Sequence, residues 1–94
     1  MPTPCLIVYY DYVPDVLERR GPHREAHLAH IRAWEADGRL AIAGATGDPP
    51  TGAAIVIAGD DPARAEQFVE GDPYVAAGLV SSYRIVPYTV VTGG

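Results

Sequence analysis

The sequence predicts an α+β fold, β-α-β-β-α-β in order with one four-stranded antiparallel sheet, and three observations carry that prediction. Short runs rich in β-branched and aromatic residues occur at four places: CLIVYY (5–10), RLAIAGA (39–45), AAIVIA (53–58) and the stretch from Leu79 to Val91. Helical stretches separate the first run from the second and the third from the fourth. The remaining gap, TGDPPTG at 46–52, is too rich in Gly and Pro for anything but a loop. At 94 residues the chain is read as a single domain, 1–94.

Each element follows from its residues. Cys5–Tyr10 is long enough for a strand and too short for a helix, and its two apolar faces place it in the middle of the sheet. Pro14 and Asp15 open a first helical turn with Val16 and Leu17 turned inward. Gly21 and Pro22 then interrupt it, and Pro22 suits the first turn of the main helix. In that helix Leu28, Ile31 and Trp34 recur three apart, flanked by Ala29, as a core stripe. Gly38 stands where a glycine closes a helix. Arg39–Ala45 and Ala53–Ala58 form a hairpin across the loop.

Asp60, Asp61 and Pro62 start the second helix, PARAEQFVEG, with Ala65, Phe68 and Val69 inward and Gly71 as its stop. Asp72–Gly78 adds one more helical turn. Leu79–Val91 is the last strand, where Pro87 points to an edge or a bulge, and Thr92–Gly94 is a loose tail. This order is the split βαβ, or ferredoxin-like, arrangement. Two helices cover only one face of such a sheet. Because CLIVYY and AAIVIA are apolar on both faces, the open face calls for a partner sheet, and a homodimer through sheet packing supplies it.

Composition removes several functions. The net charge is −5 and all seven cations are arginine, without a basic stripe, so nucleic acid is an unsuitable partner. A chain without lysine forms no Schiff base. No apolar run approaches the roughly 18 residues of a membrane span. MPTPCLIVYY lacks a basic region and a cleavage site, so no export signal is expected. Cys5 is the single cysteine and has no internal disulfide partner, which fits a cytoplasmic location.

All three histidines lie in HREAHLAH, residues 23–30. On a helix His23, His27 and His30 fall within an arc of roughly 60°. His23 and His27 have the i,i+4 spacing of two zinc ligands, but HREAH is not HExxH, and Glu25 points away from that face. A metal site centred on His23 and His27 is therefore the weakest reading, and no metal is expected. His23 and His30 read as solvated. His27 borders the core stripe and is expected half-buried, as a structural group or as an acid/base.

Arg24-Glu-Ala-His27-Leu28 resembles the R-x-x-H-L element of the YciI-like (YCII-related) family. Asp37-Gly38-Arg39-Leu40 followed by Ala43-Gly44 is similar to that family's D/E-G-R-L…A-G turn. Asp72-Pro73-Tyr74-Val75-Ala76-Ala77-Gly78-Leu79 is similar to its most specific signature, DP-[FY]-x-x-A-G-[LV]. The resemblance spans roughly residues 5 to 90. It implies a dimeric α/β barrel, with two ferredoxin-like sheets packed together, and an active site built on a histidine and an aspartate. Residue by residue these are His27 and Asp72. His23 and His30 match no histidine of the pattern.

The expected function is that of a small enzyme without a cofactor. His27 and Asp72 would move a proton on a small organic substrate, aromatic or carboxylated, in an isomerisation or elimination. Tyr9 and Tyr74 are the candidate phenolic donors, Arg24 the candidate anchor for a carboxylate, and Gly44 a point of close backbone approach. Asp72 has a purely structural reading beside this one, since Asp-Pro commonly starts a helix. A non-catalytic ligand-binding or interaction module is the alternative for the whole chain.

Overall fold

The structure is a computed structural model and describes residues 3–93. Met1, Pro2 and Gly94, the last of these part of the tail read from the sequence, lie outside the described residues. The chain runs β1 (Thr3–Tyr12), α1 (Val16–Arg19), α2 (Gly21–Ala36), β2 (Leu40–Thr46), β3 (Gly52–Ala58), α3 (Pro62–Gly71), α4 (Pro73–Ala76) and β4 (Val80–Val90). The sheet order is β2-β3-β1-β4, and every pairing is antiparallel. This is the ferredoxin-like α+β arrangement. β1 is central, as its two apolar faces require, and Pro87 sits on the edge strand β4, where a missing N–H is tolerated. No helix among the described residues is long and apolar enough to cross a membrane.

Alternation along β1 sorts the two faces of the sheet. Leu6, Val8 and Tyr10 are buried under the helices with Ile55 and Ile57 of β3. Trp34 of α2 and Ala65, Phe68 and Val69 of α3 close that core from above. Cys5 and Ile7 point the other way, paired across the sheet with Tyr88 and Val86 on one side and Ala58 and Val56 on the other. That face carries no helix, and Ile42 is left 67% exposed on it and Tyr88 47%.

Two helix ends are finished by the same device. At the end of α2 the Gly38 N–H bonds Glu35 O and the Arg39 N–H bonds Trp34 O. At the end of α4 the Gly78 N–H bonds Val75 O and the Leu79 N–H bonds Tyr74 O. Both are Schellman closures, and both glycines have the positive φ (73° and 74°) that this closure needs. The second closure packs Leu79 against Tyr74, which fixes the tyrosine ring. Leu17, expected inward, is 46% exposed: α1 is a single turn that buries Val16 alone.

Candidate functional site

Asp72 sits between α3 and α4 and is fully buried. Its Oδ1 accepts the Tyr74 backbone N–H at 3.0 Å, so it caps the one-turn helix α4. The same carboxylate reaches two side chains from distant elements. The Tyr10 hydroxyl of β1 donates to Oδ2 at 2.8 Å, and Nδ1 of His27, 45 positions away on α2, lies 2.7 Å from Oδ1. The structural and the site readings of Asp72 therefore describe one geometry: the cap orients the carboxylate toward the imidazole. Three contacts converge on this carboxylate and fix the orientation of the His27 ring through Nδ1.

His27 is 5% exposed, more buried than its expected border position. Ile31 and Trp34 face the core as expected, while His27 takes the place of Leu28, which is half-buried beside it. The Tyr74 ring stacks on the imidazole, centroids 3.7 Å apart and planes within 3° of parallel. One face of His27 is thus covered. With Nδ1 committed to Asp72, Nε2 is the free nitrogen, and it has no hydrogen-bond partner among the described residues.

A hollow of about 270 Å³ opens beside this pair, between α2 and the hairpin of β2 and β3. Its polar wall is Tyr12, Arg20, Arg24, His27 and Tyr74. Leu28, Ile31 and Ile55 make an apolar floor. Burial raises the Tyr12 hydroxyl to about 12, and the neighbouring Tyr74 and Asp72 push the same way, while Arg20 and Arg24 pull against them. Burial drives Tyr10 higher still, reinforced by Asp72, so both phenols stay protonated as donors.

Of the residues singled out in the sequence, His27, Asp72, Tyr74, Arg24 and Gly44 lie in or against this region. Tyr9 does not. It lies on the opposite face of the sheet, under the guanidinium of Arg84 at 4.5 Å. Strand alternation separates it from Tyr10 and Tyr12, the tyrosines that do reach the site. Gly44 has no close approach to explain it, since a Cβ there would meet nothing within 4 Å. The residue that demands glycine is Gly52, where a Cβ would overlap the Tyr10 carbonyl. His30 is also corrected. Rather than solvated, it is part-buried, its Nε2 lies 2.9 Å from the Phe68 carbonyl oxygen, and its ring packs on Phe68 and ties α2 to α3.

Sequence reading missed Tyr10, Tyr12 and Arg20. The period of two along β1 was the available signal for the tyrosines, because Leu6, Val8, Tyr10 and Tyr12 share a face. For Arg20 the signal was its place one turn before Arg24. No group of three or more His, Cys, Asp or Glu among the described residues gathers to hold a metal ion.

Known proteins extend the picture. Residues 5–89 match the YCII-related domain. Protein YciI of Escherichia coli is 31% identical over 94 residues, covering 90% of this chain and 96% of its own. An uncharacterized protein of Haemophilus influenzae is 28% identical over the same span. Among solved structures, the 5-chloro-2-hydroxyhydroquinone dehydrochlorinase of Burkholderia phenoliruptrix, in complex with 2,5-dihydroxybenzoquinone, superposes with a TM-score of 0.72 at 25% identity. The match covers 86% of this chain and 89% of that one.

Proposed function

The chain belongs to the YCII-related family, and on that premise we propose that it is a small-molecule enzyme whose reaction is a proton transfer run by His27. The observation that carries this reading is the 2.7 Å contact between Nδ1 of His27 and the buried carboxylate of Asp72, beside an open hollow. Asp72 keeps Nδ1 protonated, so the lone pair is on Nε2. That nitrogen takes a proton from a substrate carbon next to a carbonyl or an enolic hydroxyl. The imidazolium so formed is stabilised by Asp72 and returns the proton elsewhere on the molecule, which is an isomerisation. Alternatively a leaving group departs with its electron pair from the adjacent carbon, which is an elimination. The similarity to a dehydrochlorinase favours the second outcome for this chain.

The test is hydrogen exchange. Wild-type protein in deuterated water should wash deuterium into an activated carbon acid, such as a hydroxylated quinone, and His27→Ala should slow this by about 10²- to 10⁴-fold. Full exchange by a folded His27→Ala protein would end the proposal.

Assembly belongs to the same reading. The helix-free face of the sheet carries the small residues Ala54 and Ala58, opposite Tyr9 and Cys5, beside Ile7, Val56 and Val86, and a second copy laid on it forms the two-sheet dimer. Sedimentation should give a dimer for the wild type and a monomer for Ile42→Arg. A monomeric wild type would count against the arrangement.

A further inference from the structure

Seven arginines serve an acidic chain of net charge −5. Most are engaged. Arg19 pairs with Asp15 and Arg39 with Asp37. Arg64 donates to the Ala58 carbonyl, and Arg84 lies over Tyr9. Arg20 and Arg24 make no ion pair or side-chain hydrogen bond among the described residues, yet both line the hollow beside His27. Their placement is costly to the empty protein. They stand one helical turn apart, and like charges at that spacing repel. The first turn of α2 carries no acidic residue and no side-chain cap, so no local acid offsets Arg24 at the positive end of that helix, although Arg20 also closes α1, where a cation is favoured. Local stability would favour an acid at position 24.

The Tyr74 ring, stacked on His27, closes one side of the same hollow. The volume sets the size of the occupant. Roughly 150 Å³ accommodates benzene, so about 270 Å³ has room for one substituted ring. The apolar floor of Leu28, Ile31 and Ile55 suits the ring's flat surface.

We infer that the hollow selects a monocyclic organic anion, its negative oxygens held by Arg20 and Arg24. This rests on the proposed role of the hollow as substrate site and narrows its substrate class. It adds Arg20 as a positioning and specificity residue. An anion at the arginines places the far side of its ring toward Nε2 of His27, one turn further along α2. The two cations also favour the enolate that forms when His27 removes a proton, since the new charge is shared around the ring toward them.

The experiment compares anions with neutral rings of the same size. Benzoate, 2,5-dihydroxybenzoate and 2,5-dihydroxybenzoquinone are titrated against benzamide and hydroquinone by NMR. The anions should bind at least about 10-fold more tightly than their neutral counterparts. Arg20→Gln with Arg24→Gln should abolish that preference. The same double variant should raise the melting temperature of the empty protein by a few degrees, because it removes an uncompensated repulsion. A merely structural pair of arginines would lower it. His27→Ala should keep the anion preference while losing exchange, so failure of the catalytic proposal is distinguishable from failure of this one. Three results overturn the inference: neutral rings binding as well as anions, a preference that survives the double variant, and no anion binding below a Kd of about 10 mM.

Discussion

Asp61 and Asp72 are written the same way and end differently. Each precedes a proline, each starts a helix, and each accepts the backbone N–H two residues on at 3.0 Å, from Ala63 and from Tyr74. In sequence terms they are one motif used twice. Asp61 is exposed, and its carboxylate takes no further partner among the described residues. Asp72 is wholly buried and takes two further donors, Tyr10 and His27, from elements far away in the chain. Local chemistry fixes the direction of the carboxylate, and tertiary packing decides what meets it. A helix cap and a member of a site are therefore not competing descriptions.

The largest expected effect comes from breaking the buried aspartate. Asp72→Ala orphans the Tyr10 hydroxyl, Nδ1 of His27 and the Tyr74 N–H at once. At roughly 1–3 kcal/mol for each buried group left unsatisfied, most of a small domain's stability goes. The urea midpoint should collapse or the protein should fail to fold. Asp72→Asn separates the two roles of the residue, because asparagine still caps a helix. It should stay folded, with a midpoint much closer to wild type, yet lose exchange by about 10⁴-fold through the wrong imidazole tautomer. Full exchange in Asp72→Asn would reduce Asp72 to a cap, equal to Asp61.

The next effect is alkaline instability, which sharpens the same contrast. Tyr10 donates to Asp72 from within the core, and burial together with that carboxylate raises its pKa far above the ordinary 10. Burial likewise raises Tyr12 to about 12. The folded state therefore binds these protons more tightly than the unfolded chain. Stability is complete below pH 10 and falls as pH climbs past it, through 12 for Tyr12 and further for Tyr10. The slope approaches ~1.4 kcal/mol per pH unit for each tyrosine. Urea titrations between neutral and alkaline pH should show this loss, and Tyr10→Phe should flatten it. A slope unchanged in Tyr10→Phe would mean that the Tyr10–Asp72 bond is not part of the folded protein in solution.

The fold was legible because its signals are local. The four strands, the breaks at Gly21 and Gly71, and the closures at Gly38 and Gly78 each follow from a handful of neighbouring residues. His27 and Asp72 could be named from their resemblance to a family signature, but the contact between them is 45 positions long and has no local mark. The errors have the same origin. The sequence names Tyr9 and passes over Tyr10, and only the pairing of the sheet tells which face the helices cover. His30 looked solvated because Phe68 and Gly71, the residues it packs on, come from the other helix. Space for it exists because Gly71 has no side chain: a Cβ there would stand 2.9 Å from the imidazole Cε1. Arg24 is named from the sequence as an anchor and Arg20 is marked only by its place one turn before it, while the hollow they line is closed by β2 and β3, far along the chain.

The smallest effect is expected at the exposed partner of the comparison. Asp61→Ala removes one cap bond to Ala63 from a solvent-facing helix start, where water replaces the lost acceptor. The cost should be about 1 kcal/mol, the usual value of an N-cap, which for a domain of this size is a fall of several degrees in melting temperature. Proline at the next position limits the damage, since its fixed φ already suits the first helical turn. Exchange activity and anion preference should not change, because Asp61 touches neither the hollow nor His27. A drop in exchange beyond the small loss of folded protein would show that α3 transmits strain through Gly71 to the neighbouring carboxylate. The two aspartates would then be coupled ends of one helix rather than independent uses of one motif.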